Sequence, residues 1–445
     1  MKLNDIAEFV TDKISSGSIS LENYVTTDSL LQNKRGRETA QNLPPMQCAL
    51  TNYKQGDVLV ANIRPYLKKV WFADSEGGCS SDVLVFRARN GHCPSFLYTV
   101  LMQDAFFDYA MSGAKGSKMP RGDKDQIMRY ELPTFTYTEE ENIGNMIVDI
   151  MSKINVNRQI NDNLEAMAKQ LYDYWFVQFD FPNEEGKPYK SSGGAMVYNE
   201  RLKREVPIGW EVENLIEFAE IKNGATPSTA DEANYGGDIV WITPKDLSDQ
   251  QSKFVYQGER NITKQGFDSC STSMLPTNSV LMSSRAPIGL VSIAKHEVCT
   301  NQGFKSFIPK SISDSIYLYY YIKHHIKQIE QLGTGTTFKE VSRDDLCKFP
   351  ILTIGAKDIY VQWIELQNGI ADKQLALTKE IAALTKQRDE LLPLLMNGQA
   401  SVNYHLSAST SISFDISVLF LNFTNGNSLY ETISLDYQCF ALPLH

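Results

Sequence analysis

Two long stretches of the chain carry apolar residues at alternating intervals of three and four, which predicts two long helices with one apolar seam each. The first stretch runs from Ile143 to Trp175 and the second from Ile359 to Leu395. The predicted interface positions are Ile147, Ile150, Ile154, Asn157, Leu164, Leu171, Trp363, Leu366, Ile370, Lys373, Leu377 and Leu384. Since neither half holds a second seam, we expect the two helices to pair as a coiled coil and to hold two globular parts at opposite ends. The alternative is one amphipathic helix lying on each globular part.

The segments before each long helix predict strands, and they repeat with a period of roughly 220 residues, far longer than the repeat of a solenoid. Gly56–Leu67 and Asn278–Gly289 each form a β-rich run that breaks at a proline. Further on, the Gly/Ser/Thr-rich loop Gly113–Met119 parallels Gly333–Phe338. Several matched elements in one order indicate a duplication, and we predict an α/β (α+β) protein with two similar globular domains.

These patterns divide the chain into six parts. The predicted parts are 1–138 (first globular domain), 139–178 (first long helix), 179–205 (linker), 206–354 (second globular domain), 355–400 (second long helix) and 401–445 (C-terminal tail). The tail has no Lys or Arg and no counterpart in the duplication. It is either a strand-forming appendage or a translated sequence that was not selected to encode protein.

Composition narrows the class of protein. Apolar residues make up 42% of the 445 residues and charged residues 22%, so a folded core is expected. The net charge is 43 − 53 = −10, which argues against a protein held on DNA by bulk charge but leaves local basic patches open. No apolar run approaches the ~20 residues of a membrane span. Seven scattered cysteines without a CxxC pair predict free thiols in a cytoplasmic protein.

Basic residues cluster near the predicted strand breaks and loops of both halves. The candidate DNA contacts are Arg64, Lys68, Lys69, Lys115, Lys118, Arg121 and Lys124 in the first half, and Lys245, Arg285, Thr336, Thr337, Lys339 and Arg343 in the second. Cations of this kind neutralise phosphates, and the two threonines lie in a loop whose backbone can contact a phosphate. The alternative for each cation is ordinary solvated surface charge.

Motifs that would indicate catalysis are incomplete. The segment Leu332–Thr337 lacks the lysine of a phosphate-binding P-loop, and Asn42–Met46 departs from the motif of an adenine methyltransferase. The order of Asp180, Glu185 and Lys187 is that of a magnesium-dependent nuclease, but all three lie in one short Pro/Gly segment. We therefore expect a non-catalytic chain without a metal site. The pair His324 and His325 is expected to belong to an aromatic helix.

Several segments resemble the specificity subunit of type I restriction–modification systems. These segments are Trp175–Pro182, Gly186–Gly194, Leu202–Trp210, Trp241–Leu247 and Arg388–Gln399. The resemblance covers about Met1–Tyr404 and includes the duplication, and the central segment is the most specific part of it. The tail after Tyr404 departs from the family pattern.

The resemblance implies a function for each predicted part. Each globular domain would be a target-recognition domain that reads one half of a bipartite, asymmetric site in double-stranded DNA. The helices would pair antiparallel, set the gap between the half-sites and dock two methyltransferase subunits, and two restriction subunits would complete the complex. S-adenosylmethionine, ATP and Mg²⁺ are expected on those partner subunits and no cofactor on this chain.

Three other functions remain open at this stage. One is a non-catalytic protein-interaction scaffold with two β-rich modules on a coiled coil. The second is an enzyme that uses Asp180, Glu185 and Lys187. The third is a specificity chain that serves a system with methylation but no restriction subunit.

Overall fold

The structure is a computed structural model that describes residues 1–250, 252–335, 339–354 and 357–402. It divides into two compact units. Unit 1 comprises Met1–Gln159 and the described residues from Lys379 onward, and unit 2 comprises Ile160–Thr378. Helices and sheets are mixed in both units, which confirms the predicted α+β class. Nearly all of the predicted tail, from residue 403, lies outside the described residues.

Unit 1 is built from short strands and short helices. Its strands are β1 (Ala7–Phe9), β2 (Lys13–Ser15), β3 (Tyr24–Val25), β4 (Ala49–Tyr53), β5 (Val58–Ala61), β6 (Val70–Phe72), β7 (Gly77–Cys79) and β8 (Val83–Ala88). Its helices are α1 (Leu3–Ile6), α2 (Pro94–Leu101), α3 (Asp104–Ser112) and α4 (Lys124–Ile127), and 3₁₀ turns lie at Ser16–Ser18 and Pro65–Leu67. The long helix α5 (Tyr137–Tyr172) follows, and a π-helical turn at Asp173–Val177 extends it.

Two four-stranded sheets form unit 1, with strand orders β1-β8-β5-β6 and β2-β4-β7-β3. All four residues of β5 are buried, as expected of a central strand that is covered on both faces. Helix α2 begins at Pro94, where the missing N–H of proline causes no loss, and seven of its eight residues are buried against the first sheet. This sheet, α2 and the first part of α5 enclose the main core of the unit.

Unit 2 holds the remaining strands and helices. The strands are β9 (Met196–Asn199), β10 (Arg204–Pro207), β11 (Glu211–Asn214), β12 (Ala219–Asn223), β13 (Tyr235–Ile242), β14 (Phe254–Val255), β15 (Arg260–Ile262), β16 (Val280–Ser283), β17 (Val291–Ala294), β18 (Cys299–Thr300), β19 (Phe304–Pro309) and β20 (Pro350–Thr353). The helices are α6 (Leu215–Phe218), α7 (Pro244–Gln250), α8 (Lys264–Asp268), α9 (Ser315–His324), α10 (Ile326–Leu332) and α11 (Arg343–Lys348), with 3₁₀ turns at Glu232–Asn234 and Ile312–Asp314. Helix α12 (Lys357–Met396) begins in this unit.

The main sheet of unit 2 has the order β12-β19-β16-β17-β14, beside a three-stranded sheet β15-β13-β18 and the pairs β9-β10 and β11-β20. Helix α9 carries four tyrosines, all of them buried. Buried tyrosine hydroxyls usually form a hydrogen bond. Tyr317 Oη donates to the Leu352 carbonyl at 2.6 Å and Tyr321 Oη to the Pro350 carbonyl at 2.9 Å, so the hydroxyls attach this helix to β20.

The main sheets of the two units share one order of four strands. The order β1-β8-β5-β6 in unit 1 matches β12-β19-β16-β17 in unit 2, and all neighbouring strands in both are antiparallel. The likeness extends to single backbone bonds. Leu3 N donates to the Tyr130 carbonyl at 2.8 Å, and Leu215 N donates to the Phe349 carbonyl at the same distance.

Within unit 1, α5 contacts the last part of α12. Lys153 Nζ lies 3.3 Å from Glu380 Oε1, and Arg388 Nη1 lies 3.4 Å from the sulfur of Met151. The apolar residues Ile147, Ile150 and Ile154 share one core cluster with Leu384, Leu391, Leu392 and Leu395. Met151 of α5 contacts Arg388 of α12, whereas Lys153, further along α5, contacts the earlier residue Glu380. The two segments therefore run antiparallel here.

Within unit 2, the last part of α5 contacts the first part of α12 in the same sense. Gln367 Nε2 donates to the Ala168 carbonyl at 2.9 Å, and Gln374 Nε2 donates to Glu165 Oε2 at 3.2 Å. The ring of Trp363 lies 4.9 Å from that of Phe176, centroid to centroid. These segments therefore also run antiparallel, and the contacts combine apolar packing with hydrogen bonds.

The buried face of α12 differs from the predicted seam at two positions. Leu366 is 51% exposed and Lys373 is also exposed, whereas the next residues, Gln367 and Gln374, are buried. The glutamines are buried because their amides find acceptors on α5, which a pattern of apolar residues does not indicate. Trp363 and Leu377 are buried, and Leu164, Leu171 and Ile370 are partly buried. The predicted polar seam residue Asn157 is buried, and its Nδ2 has no hydrogen-bond partner in the part of the chain that the structure describes.

Candidate nucleic-acid interface

In unit 1 a hairpin loop folds back against the point where β5 ends. Lys115 and Arg121 exchange two backbone hydrogen bonds of 2.9 Å each and close the loop. Gly122 N donates to the Asn62 carbonyl at 3.2 Å, and Arg64 N donates to the Pro120 carbonyl at 2.7 Å. The loop and the strand break, which the sequence shows as separate clusters of cations, are therefore adjacent.

Unit 2 repeats this arrangement with different residues. Thr334 and Glu340 exchange backbone hydrogen bonds of 3.1 and 3.0 Å, and Val341 N donates to the Ser284 carbonyl at 3.0 Å. The backbones of Arg285 and Glu340 form an isolated antiparallel β-bridge, as those of Ile63 and Arg121 do in unit 1. The predicted correspondence of the two loops is thus present in their hydrogen bonds, although the loops differ in charge.

The strand break of unit 1 contains an unusually shaped turn. A 3₁₀ turn at Pro65–Leu67 is bracketed by Arg64 (φ 53°) and Lys68 (φ 51°), both left-handed. Asn33 (φ 56°) and Lys34 (φ 60°), also left-handed, donate their backbone N–H groups to Leu67 and Lys68 at 2.9 and 2.8 Å. Left-handed backbone is unfavourable for residues other than glycine, so the packing around this turn imposes its shape.

The cations nearest this turn are largely engaged within the protein. Lys68 Nζ lies 2.9 Å from Asp104 Oδ1, and the buried Lys34 shares that oxygen at 2.7 Å. Burial lowers the pKa of Lys34, and the same two lysines hold the pKa of Asp104 below its usual value although its own burial opposes this. Lys69 Nζ donates to the Thr27 carbonyl, and burial lowers its pKa as well.

The cations of the hairpin loop are more accessible. Lys115 is exposed and lies 3.1 Å from Asp123, and Arg121 is exposed and lies 3.0 Å from Asp82. Lys124 Nζ lies 5.9 Å from the centre of the Phe9 ring. Lys118 is exposed and forms no ion pair with any residue that the structure describes. This loop therefore carries most of the accessible positive charge among the candidates of unit 1.

In unit 2 one carboxylate binds two cations at the corresponding place. Arg285 Nε and Nη2 each lie 2.9 Å from Glu340 Oε2, and Lys305 Nζ lies 3.1 Å from Oε1. Partial burial would raise the pKa of Glu340, but the hydrogen bonds from Arg285 and Lys305 outweigh it and lower the pKa. The positive charge at the strand break of unit 2 is thus partly neutralised.

The remaining candidates of unit 2 do not gather into one patch. Lys245 lies 2.7 Å from Glu259, Arg343 Nε donates to the Ile221 carbonyl at 2.9 Å, and Lys339 is exposed. Thr336 and Thr337 lie outside the described residues.

Two lysines belong to these clusters but were not predicted from the sequence. Lys34 and Lys305 are both buried, each on a carboxylate that an accessible cation also binds. Lys34 begins the short basic run Lys34–Arg37, which was not among the predicted contacts, and Lys305 lies inside the buried strand β19. The run was a signal for Lys34, whereas only the ion pair with Glu340 reveals Lys305.

The residues with a nuclease-like order are used in local structure. Asp180 accepts hydrogen bonds of 2.7 Å from both the backbone N and the Oγ of Ser191, while Lys187 lies 2.8 Å from Glu185 on the surface. His324 ends α9 and His325 follows it, so the pair does lie at an aromatic helix. His325 Nδ1 lies 2.8 Å from the Tyr321 carbonyl, and burial lowers its pKa to about 4.

Within the described ranges, no group of three or more His, Cys, Asp or Glu side chains is placed to hold a metal ion. None of the helices described is both long enough and apolar enough to cross a membrane.

Comparison with known proteins supports the resemblance found in the sequence. Residues 207–393 match the family model described as type I restriction modification DNA specificity domain. A stretch of 144 residues, 32% of this chain, is 41% identical to the type I restriction enzyme MjaIX specificity subunit of Methanocaldococcus jannaschii, of which it covers 33%. The type I restriction enzyme HindI specificity subunit of Haemophilus influenzae is 25% identical over 89% of this chain and 98% of its own length.

A solved structure shows the same fold. The crystal structure of the S subunit of a type I restriction–modification system from M. genitalium matches 89% of this chain and 95% of its own, with a TM-score of 0.53 and 13% identity. The family model and the named relatives confirm the resemblance found in the sequence: this chain contains a type I restriction modification DNA specificity domain and is similar to specificity subunits of type I restriction enzymes.

Proposed function

We propose that this chain recognises a bipartite, asymmetric sequence in double-stranded DNA, with each unit reading one half-site. The observation that carries the proposal is the repeated loop at the strand break. Lys115 and Arg121 close it in unit 1, and Thr334 and Glu340 close it in unit 2 through the same backbone bonds. One scaffold that presents two different sets of side chains is suited to two different half-sites, because base edges are read by side chains.

The charges around the loops support separate roles for the cations, which would supply affinity, and for the side chains that read bases, which would supply specificity. Exposed cations such as Lys115, Lys118 and Arg121 would neutralise phosphates, which supplies affinity without reading sequence. The chain as a whole has a charge of −10, and Glu340 neutralises part of the unit 2 cluster. We therefore propose that the isolated chain binds DNA weakly at physiological salt and that partner subunits add the contacts needed for tight binding.

The long helices are proposed to set the gap between the half-sites and to dock two methyltransferase subunits. Support comes from the antiparallel contacts of α5 with α12, which are specific as well as apolar. Buried polar contacts of this kind restrict the register of paired helices. Methyl transfer, ATP hydrolysis and cleavage are assigned to methyltransferase and restriction subunits that carry S-adenosylmethionine, ATP and Mg²⁺, and this chain is proposed to be non-catalytic.

Genome-wide mapping of methylated bases tests this function, in cells with and without the gene for this chain. The expected result is one bipartite motif with a fixed gap that disappears when the chain is removed. Methylation that is unchanged by its removal, or a continuous motif without a gap, would contradict the proposal. Inserting the same number of residues into α5 and α12 should lengthen the gap and leave both half-sites unchanged.

A matched pair of variants separates recognition from scaffolding. Replacing Lys118 and Arg121 by alanine should weaken DNA binding by the assembled complex, whereas replacing Glu185 and Lys187 should not. If DNA binding by the complex did not respond to salt, the chain would be a protein-interaction scaffold instead. Cleavage lost after replacement of Glu185 and Lys187 would reveal a catalytic role for this chain.

A further inference from the structure

Two exposed apolar side chains lie among the cations of unit 1. Tyr66 is 51% exposed and Met119 is 55% exposed. Tyr66 lies two residues after Arg64, Met119 lies one residue before Pro120, and Arg64 N donates to the Pro120 carbonyl at 2.7 Å. The two side chains are therefore carried by backbone segments that a direct hydrogen bond joins.

The turn that carries Tyr66 is held in one shape from several sides. Four of the seven non-glycine residues with left-handed backbone in the described chain are Asn33, Lys34, Arg64 and Lys68. All four lie at this turn or in the segment that donates to it, and Pro65 restricts the backbone immediately before Tyr66. Strained backbone of this kind persists only where the surrounding structure imposes it, and it concentrates at sites that position a functional group.

Some polar groups around the turn lack a hydrogen-bond or ion-pair partner among the described residues. Arg64 Nε and Asn62 Oδ1 are buried without a hydrogen-bond partner among the residues that the structure describes. Arg64 forms no ion pair with the residues that the structure describes, and neither does the exposed Lys118. Tyr66 on this constrained turn, with Arg64 and Lys118 beside it outside the ion pairs described, fits a ligand that is anionic at its edges and has an apolar group between them.

We propose that Tyr66 and Met119 form the apolar contact by which unit 1 reads thymine in its half-site, with the thymine 5-methyl group as their ligand. This inference rests on the proposed function. In the major groove the edges of the base pairs present hydrogen-bond donors and acceptors, and thymine adds the 5-methyl as an apolar group. Arg64, Lys118 and Arg121 would contact the phosphates on either side and hold the projection in the groove.

Duplexes in which deoxyuridine replaces thymine test the contact directly, because they lack only the methyl group. The assembled complex of the full-length chain is titrated with the natural duplex and with duplexes substituted in one half-site at a time, at constant salt. Binding should weaken about fourfold for each methyl that is contacted, the effect of withdrawing one methyl-sized group from an apolar contact. The effect should be confined to one half-site.

The variants Tyr66→Ala and Met119→Ala should bind the natural duplex more weakly and no longer distinguish it from the substituted one. Tyr198→Ala is the matched control, because Tyr198 is 56% exposed but lies on β9 in the linker hairpin of unit 2. It should bind and discriminate like the unsubstituted chain. Because all three residues are exposed, the variants should melt at the same temperature, which circular dichroism checks.

Three results would overturn the inference. These are a unit 1 half-site without thymine, a Tyr66→Ala complex that still discriminates against deoxyuridine, or a Tyr66→Ala chain that fails to assemble with its partner subunits. The last would assign these residues to a protein contact. Failure of the proposed function looks different, since the unsubstituted complex would then show no sequence preference for either half-site.

Discussion

A buried lysine in unit 2 allows a quantitative test of how the long helices are held. Lys253 is 4% exposed at its side chain and donates to Tyr320 Oη at 2.7 Å. Its Nζ also lies 3.3 Å from Gln374 Oε1 on α12 and 3.5 Å from Glu165 Oε2 on α5. Glu165 further accepts hydrogen bonds from Tyr320 and Gln374 at 3.1 and 3.2 Å. One carboxylate therefore joins α5 to α12 and to Lys253 and α9 within unit 2.

The expected effect of removing that carboxylate is large. Burial lowers the pKa of Lys253 from 10.5 to about 8, and Glu165 opposes the shift. The variant Glu165→Gln leaves a charged lysine buried without its counter-charge, which typically costs about 3–5 kcal/mol of stability. Adding Lys253→Met removes the stranded charge, so the double variant should recover most of that loss.

The pH dependence gives an independent check. Between about pH 8 and 10.5 the unfolded chain binds a proton on Lys253 that the folded chain does not, so stability rises with pH across this window. Below about pH 8 Lys253 is protonated in both states, and its burial lowers stability by about 3 kcal/mol. Relative to Lys253→Met, the unsubstituted chain should therefore gain about 2–3 kcal/mol as the pH rises from 7 to 10.

Urea unfolding followed by tryptophan fluorescence measures these differences. Four of the five tryptophans, Trp175, Trp210, Trp241 and Trp363, lie in unit 2, so the signal reports mainly on the unit that contains the network. A loss below 1 kcal/mol in Glu165→Gln, or no recovery in the double variant, would refute the reasoning. Parallel stability curves for the unsubstituted chain and Lys253→Met between pH 7 and 10 would do the same.

Other predictions follow from the ion pairs and from one histidine. Lys118→Ala should weaken DNA binding by the assembled complex and reduce the slope of log affinity against log salt by about one, while Lys187→Ala, the control in the linker, should leave both unchanged. Glu340→Gln should increase the salt slope, because two cations lose their carboxylate, and should lower the melting temperature of unit 2, because the 8% exposed Lys305 is then buried unpaired. Since the pKa of Glu340 is lowered in the fold, the difference in melting temperature should be full at neutral pH and shrink as the pH falls below about 4. The pKa of His325 is lowered to about 4, so stability should fall as the pH drops from about 6.5 toward 4, and His325→Gln should flatten that part of the curve.

The sequence by itself determined the features that depend on local repetition. Apolar residues at intervals of three and four predicted both long helices, and matched strand, break and loop motifs predicted two like halves. In the structure, backbone hydrogen bonds join Lys115 to Arg121 in unit 1 and Thr334 to Glu340 at the corresponding place in unit 2. Such features are readable because residues close in the chain determine a helix seam or a strand.

Only the tertiary structure decided which residues distant in sequence form hydrogen bonds and ion pairs with each other. It buried Gln367 and Gln374 in place of Leu366 and Lys373, because their amides reach acceptors on α5, about 200 residues earlier in the chain. It also decided which cations are neutralised, since Glu340 meets Arg285 only after the loop folds back. Accessible charge and an exposed projection such as Tyr66 are properties of that long-range arrangement, and the spacing of residues along the chain does not encode them.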